Sequence, residues 1–344
     1  MNCIVDLGNT GHHREWLSLF ENEETLVYTT EANRGVFPKA NNFQYCKDGL
    51  TESEFIKRYH DVLCKPYINR IIFLHFDRLF NYLVRKALFG SFDPIDYKIS
   101  GIWLRNNSLY QRSIKAYLKL SLIYIVLRRI SDRLPQMIIY SLNEQFVDYF
   151  NGRFSRKLFQ YIQDPISLDK MILNVVTNKG SLLMFGSHDK RKGTDLAIEA
   201  LIKFEYPGQI VVAGPLTGLP ELVENKQWLK ERLDIEFYDE FVDERLMHEL
   251  FSKAEIVLLP YVNFGGSSGV LGWAIAYNKI VIGTNFGLVG LRLRDYCNGY
   301  LLNSIDDLEF VIKKALNIGS RPANSEFFFN HFSENTFKKA LLSD

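Results

Sequence analysis

The sequence predicts an α/β protein built from two parallel-sheet units. Short continuous apolar runs such as "QIVVAG", "EIVLLP" and "KIVIGT" are the first observation behind that expectation. A strand buried on both faces reads as an unbroken apolar run, whereas a half-exposed strand alternates. The second observation is that helical patterns alternate with these runs, as parallel strands with crossover helices require. The third is length, since 344 residues fit two units. Hydrophobic residues make up 47% and aromatic residues 14%, enough for two cores and too much for global disorder.

The elements follow in order. The first half opens with the strand "NCIVDLG", the loop "GNTGHH" and the helical pattern "REWLSLF". Further strands are expected at 25–29, 69–75 ("NRIIFLH") and 136–141 ("QMIIYS"), with helices at 52–64, 78–89 and 108–131. In the second half the strand "SLLMFG" precedes a helix that Thr194 and Asp195 can cap. Strand "QIVVAG", helix 219–232, strand "DIEFYD", helix 243–252 and strand "EIVLLP" come next, then helix 269–277 and strand "KIVIGT". The stretch "QYIQDPISLDK" (160–170) carries a proline and no periodicity, which places the domain junction there. The expected domains are therefore 1–165 and 166–324, with the helical segment 325–344 packing back on the first.

Formal net charge is +1, which argues against a polyanion binder, but the local distribution is uneven. Residues 101–134 hold seven Lys/Arg against one acid, and residues 234–255 hold eight acids against Arg245 and Lys253. The basic excess is interleaved with "YLKLSLIYIVL", so residues 112–133 read either as a solvated helix face over core or as a membrane-surface patch. No apolar run approaches the ~20 residues of a membrane span, and the opening stretch lacks the form of a signal peptide. The four cysteines show no CxxC spacing and fit a reduced compartment. The expected location is the cytoplasm, with peripheral contact at the inner membrane face.

Two loops look ready for an anion. In "FGGSSGVLGWAIAY" (264–277) an apolar strand is followed by glycines and serines and then by a helix starting at Gly269. The first amides of a helix lack intrahelical partners, and the helix dipole favours an anion there. In "FGSHDKRKGTD" a strand ends at Gly186, and Arg191, Lys192 and Gly193 stand just before the next helix. Two such junctions in one sheet can converge on one diphosphate. The Walker pattern GxxxxGK[ST] is absent.

The stretch from about Ser181 to Leu316 resembles the donor domain of retaining GT-B glycosyltransferases, the glycosyl transferases group 1 family. "LLMFGSHDKRKGTDLAIEAL" resembles its glycine–basic–KG loop, and "IEFYDEFVDERLMHELFSKAEIVLLPY" its next strands and helix. "GGSSGVLGWAIAYNKIVIGTNFGLVG" resembles its glycine loop, helix and following strand. The resemblance implies a GT-B fold, with two Rossmann-like domains facing a cleft that holds a nucleotide-sugar donor. It implies that Lys192 meets the donor diphosphate, with Gly186 and Ser187 beside it. The loop Gly266, Ser267, Ser268, Gly269 and Val270 would approach from the other side. Backbone near Phe241 and Val242 would meet the base, and Gly8 and Gly11 would let the first loop come close to the donor or acceptor.

His75 ends the strand "IIFLH", where the family often has a histidine facing the sugar; it reads either as that catalytic group or as a satisfied core histidine. His12 and His13 sit in the first glycine loop and read as acceptor-side groups, one of them as a capping or packing residue; Asp77, also on the acceptor side, reads either as a base or as a helix cap. The family's two donor-site glutamates, eight positions apart, align with Gly265 and Trp273, so both carboxylates are replaced. Trp273 can stand as an apolar wall at the ribose or point into the core, because "VLGWAIA" is apolar nearly all round.

The implied activity is metal-independent transfer of a sugar, with retention, from a nucleotide diphosphate donor to a hydroxyl of a glycan or lipid-linked sugar, as in polysaccharide biosynthesis. The nucleotide-sugar is a substrate, and no cofactor is expected. No DxD motif or metal-spaced His/Asp cluster occurs, and the aromatic residues are not interleaved with basic ones as nucleic-acid binding requires. The lost glutamates also fit a catalytically silent GT-B-like protein that binds or stabilises a partner. "GGSSG" at 265–269 matches the nucleophile elbow GxSxG of serine hydrolases, with Asp306 and His331 following in the right order.

Overall fold

The structure, a computed structural model, describes the chain except residues 9–11, 22, 39, 91, 105–106, 155, 169–170, 172–175, 323–324 and 344, and the side chains of residues 12, 13 and 325. The chain divides into two compact units, Met1–Pro165 with Glu334–Asp344, and Ile166–Ser333. The first holds a parallel sheet of strands β1 (Asn2–Asp6), β2 (Thr25–Thr30), β3 (Phe43–Cys46), β4 (Arg70–Phe73), β5 (Ile99–Ile102), β6 (Ile139–Ser141) and β7 (Phe159–Tyr161). The second holds β8 (Leu182–Phe185), β9 (Ile210–Ala213), β10 (Ile235–Tyr238), β11 (Ile256–Leu259), β12 (Ile280–Thr284) and β13 (Gly299–Leu302).

The spatial orders are β3-β2-β1-β4-β5-β6-β7 and β10-β9-β8-β11-β12-β13. Each order reverses once, between β1 and β4 in the first sheet and between β8 and β11 in the second. Every residue of β1 and β11 is buried, because helices cover both faces. Leu182, Ile256 and Ile280 enter a core on one side of the second sheet, and Leu183, Val257 and Val281 enter one on the other. Alternate side chains of one strand therefore feed two cores, as the two-residue repeat demands.

Four strands escape the sequence reading. β3 and β7 are short, half-polar edge strands. β5 reads "ISGI", which looks like a turn; Gly101 is there because a Cβ would meet the Phe73 carbonyl at 2.3 Å. β13 is a four-residue edge strand in which only Leu302 is fully buried. β7 also occupies the start of the presumed junction stretch 160–170, and the units part between Pro165 and Ile166.

The expected helix 108–131 is Asn107–Tyr110 followed by Ile114–Ser131, restarted by the N-cap Ser113, which accepts from the Ala116 amide. The expected helix 219–232 breaks at Asn225 into Pro220–Glu224 and Lys226–Lys230. The C-terminal helices also separate. Glu334–Leu342 joins the first unit, where Phe337 and Leu341 are fully buried and the Tyr140 hydroxyl donates to the Ala340 carbonyl at 2.8 Å. Ser325–His331 instead stays in the second unit, because Phe327 stacks on Tyr296 at 5.7 Å and Phe328 is buried beside Phe332. Aromatic burial decides where that helix belongs.

Candidate functional site

Loops at the carboxyl ends of parallel strands meet ligands where the strand order reverses. In the second sheet those loops follow β8 and β11, and they contain both anion-ready stretches. The sheet brings them into direct contact. The Val262 amide donates to the Arg191 carbonyl at 2.8 Å. Gly193, at φ +64°, lies so close that a Cβ would meet the Pro260 carbonyl oxygen at 2.1 Å. Gly193 rather than Thr194 or Asp195 therefore occupies the N-cap of helix Thr194–Lys203, which corrects the sequence reading. A side chain that could cap would not fit there.

The three consecutive cations of the basic loop go separate ways. Lys190 pairs with Asp195 at 2.9 Å, and Arg191 lies 3.4 Å from Asp189. Lys192 has no carboxylate partner among the described residues. Its ammonium donates to the Tyr261 hydroxyl at 2.9 Å, and that hydroxyl lies 3.0 Å from Ser268 Oγ. Either hydroxyl can donate in that second contact. Ser268 is the N-cap of helix Gly269–Ala276, and its oxygen accepts from the Leu271 amide at 3.3 Å. One polar chain thus connects the basic loop to the helix N-terminus. The amides of Gly269 and Val270 precede the first intrahelical hydrogen bond.

The approach to these groups is open. A Cβ at Gly269 would meet nothing within 4 Å, and one at Gly186 would meet only Lys192 and Val270, at 3.6–4.0 Å. Gly186 adopts φ +104°, a conformation that L side chains rarely adopt, so glycine is required for backbone as well as for access. Ser187 is exposed at the same turn. A Cβ on Gly266 would instead meet the ring of Phe264 at 3.0 Å, and Ser267 accepts from the guanidinium of the buried Arg292 at 3.2 Å. A guanidinium cannot serve as a general base, and residues 260–268 separate β11 from the next helix, so Ser267 does not sit on a strand-to-helix elbow. His331, which the hydrolase reading needs as that base, packs edge-on against Phe327.

His188 supports the basic loop, and sequence reasoning missed it. It is 2% exposed, with Nδ1 2.7 Å from Thr194 Oγ1 and Nε2 3.2 Å from the Ala213 carbonyl. The carbonyl can only accept, so Nε2 carries the proton and Nδ1 accepts from the threonine. Burial pulls its pKa down to about 4, and the Lys192 charge pushes the same way. A neutral histidine therefore ties the loop after β8 to β9. The only sequence signal was a histidine next to a strand end.

Trp273 is 9% exposed and packs edge-on against His248 at 4.9 Å. It points into the core, as the apolar sequence around it allowed. One residue earlier, a Cβ on Gly272 would come within 2.8 Å of Phe332 and Ile166, so this helix is pressed against its neighbours. Of the two residues expected near a base, Phe241 is 66% exposed and Val242 is buried.

In the first unit the strand order reverses between β1 and β4, so Gly8, His75 and Asp77 lie on loops at its switch point. The Gly8 amide donates to Asp6 Oδ1 at 3.0 Å, and Asn33 donates to the Gly8 carbonyl at 2.9 Å. His75 is buried, its ring 6.2 Å from and nearly parallel to Trp16. Asp77 does not cap a helix; it accepts from the Leu104 amide at 3.3 Å within a 3-10 turn whose N-cap is His75. Gly11 lies outside the described residues. His12 and His13 begin the helix His12–Ser18, and their side chains are also outside the described part. Among the described residues no group of three His, Cys, Asp or Glu could hold a metal ion.

A sheet with this strand order, carrying a glycine–basic–KG loop at its switch point, can be compared with known families. Residues 179–317 match the glycosyl transferases group 1 family. The matched domain spans β8 to the helix Leu308–Ile318, and so contains every residue of the polar chain described above. No curated protein matches the chain. Among solved structures it is similar to HepE of Anabaena in complex with UDP and glucose, at 13% identity, TM-score 0.70, covering 99% of this chain and 97% of that one. It is similar to sucrose-phosphate synthase from Thermosynechococcus elongatus, at 14% identity and TM-score 0.70, covering 99% and 96%. It is also similar to WaaG, a glycosyltransferase involved in lipopolysaccharide biosynthesis, at 17% identity and TM-score 0.62, covering 100% and 96%. The fold is GT-B.

Proposed function

We propose that the protein is a glycosyltransferase that moves a sugar from a nucleotide diphosphate donor to a hydroxyl of a glycan or lipid-linked acceptor, with retention. The observation that carries this reading is Lys192. It is the one cation of its loop without a carboxylate partner among the described residues, and it is held by a neutral phenol beside an open helix N-terminus. As the bond from the anomeric carbon to the diphosphate breaks, negative charge gathers on the leaving oxygen. Lys192, the Ser187 hydroxyl and the Gly269 and Val270 amides would meet that charge, and such preorganised donors usually supply the largest catalytic term. The reaction needs no metal on this reading, because these groups provide the positive potential, and the nucleotide-sugar is a substrate rather than a cofactor. His75 is the candidate group facing the sugar, and Asp77, His12 and His13 stand on the acceptor side. The protein works in the cytoplasm, with peripheral membrane contact through residues 112–133.

Burial of Trp273 where the family's ribose carboxylate aligns favours a second reading, a GT-B-like protein that binds the donor without turning it over. Calorimetry with a panel of nucleoside diphosphates and the matching nucleosides tests the shared premise. Lys192→Ala should weaken the diphosphate by about ten- to a hundredfold, the equivalent of roughly 1.5–3 kcal/mol, and leave the nucleoside unchanged. Equal losses for both ligands would take Lys192 off the diphosphate. Release of nucleoside diphosphate from nucleotide-sugars then separates the enzyme from the silent binder.

A further inference from the structure

A pocket of about 380 Å³ opens within the first unit. Among its lining residues Glu52 follows β3, Asp77 and Arg78 follow β4, and Trp103 follows β5. The pocket therefore stands at the carboxyl ends of the strands, where parallel sheets receive ligands. Lys119 joins the lining from the helix Ile114–Ser131. The volume falls near the lower end of the ~300–1,000 Å³ typical of small-molecule sites, so it suits one sugar unit rather than a long chain.

The lining sorts its charges by depth. The Glu52 side chain is 8% exposed and Asp77 is 6% exposed, with Trp103 buried beside them. The Arg78 side chain is 36% exposed and Lys119 is exposed, so the cations stand at the mouth. Arg78 lies 3.5 Å from Glu52 and is its one ion-pair partner among the described residues, at a longer distance than a strong charge-assisted contact. Lys119 has no ion-pair partner among the described residues. Burial pushes the Glu52 carboxyl above the usual carboxylate range, against the pull of Arg78, and the Asp6 charge adds to the rise. Hydroxyl donors from a ligand would stabilise its charged form.

This order of charges selects the ligand. A cationic ligand would have to pass Arg78 and Lys119 to reach the carboxylates. A ligand anionic throughout would meet Glu52 and Asp77 below the mouth. A sugar bearing one phosphate matches both layers, because its hydroxyls donate to carboxylates while its phosphate meets a guanidinium fork and an ammonium. Two cations also match a phosphate monoester, with a charge of about −1.5 to −2, better than a single carboxylate.

We propose that this pocket binds a phosphorylated sugar, its hydroxyls toward Glu52 and Asp77 and its phosphate at Arg78 and Lys119, and that the acceptor is a glycan bearing such a unit. The acceptor role rests on the glycosyltransferase reading; the phosphosugar site does not.

Calorimetry with the 6-phosphates of methyl glucoside, methyl mannoside and methyl galactoside tests it. The controls are the unphosphorylated glycosides, methyl glucuronide and inorganic phosphate. At least one phosphorylated glycoside should bind at least about tenfold more tightly than every control. Lys119→Glu, at an exposed position, should lower that affinity at least about tenfold and leave the melting temperature and nucleoside diphosphate affinity unchanged. Glu52→Gln should weaken the phosphorylated glycoside but not inorganic phosphate. No binding by any phosphorylated glycoside, equal binding of a control, or undiminished binding by Lys119→Glu would each overturn the site. Nucleoside diphosphate binding, measured on the same samples, separates the two readings. Its persistence without phosphosugar binding rejects only the pocket, and its absence with phosphosugar binding rejects only the acceptor role.

Discussion

Two regions, one in each unit, invert the usual rule of burial in opposite senses. The second places polar groups inside: His188, Thr194 and Ser268 are at most 6% exposed, and each has a hydrogen-bond partner. The first places apolar groups outside, along Ile114–Ser131. Buried polar groups are costly unless paired, so a paired set beside open backbone amides marks a preorganised binding site. Exposed apolar side chains gain nothing in the free protein, so a stripe of them points to a surface that covers it. The helix Gly269–Ala276 sharpens the contrast. It carries no charged residue at all, and Leu271, Trp273, Ala274 and Ile275 are all buried.

The largest expected effect tests whether the Trp273 position is core or ligand site. Trp273→Glu would remove a packed indole and place a carboxylate beside His248, and should destabilise the second unit by roughly 3–5 kcal/mol in urea titration. A stable variant with tightened nucleotide binding would mean that the site extends to this helix face.

Next in size is the pH response of His188. Its folded pKa of about 4 lies below the ordinary 6.5, so the unfolded chain binds the extra proton between these values. The stabilisation from keeping it neutral is complete above pH ~6.5 and is lost as pH falls toward ~4, by roughly 3 kcal/mol. Urea titrations of the wild type and His188→Asn across this window should diverge; parallel curves would show that burial does not hold the histidine neutral.

A smaller effect concerns ribose. On the proposal that Trp273 replaces a ribose-binding carboxylate, ribo- and 2′-deoxyribonucleoside diphosphates should differ by less than about tenfold, or ~1.4 kcal/mol. A preference of a hundredfold or more would require another carboxylate or amide at the ribose.

The smallest effect belongs to the exposed stripe. Leu122→Ser should change the stability of the first unit by no more than about 0.5 kcal/mol, because the side chain leaves no cavity. A loss of 2 kcal/mol or more would mean that Leu122 packs against protein, and would remove the contrast between the units.

Much of the second unit was legible because its strands are uninterrupted apolar runs and its two loops pair glycine with cations ahead of helices. The first unit was less legible. Its edge strands are short and half-polar, and "ISGI" hides a fully buried strand because Gly101 must admit the Phe73 carbonyl. The candidate site followed the same division. Lys192 and Ser268 had readable roles, whereas Tyr261 and His188, although inside the same motifs, did not, since each acts through a partner on another loop or strand.

By itself the sequence determined the fold class, the two anion-ready loops and the absence of a membrane-spanning run, because these depend on local periodicity and on residue types at fixed spacing. Only the tertiary structure decided which cation of "KRK" lacks a carboxylate partner, that Trp273 faces the core, that the last two helices join different units and that one face of Ile114–Ser131 stays uncovered. Each of those depends on which distant side chain arrives next to it. Local sequence carries no information about that neighbour until the sheet order has brought the loops together.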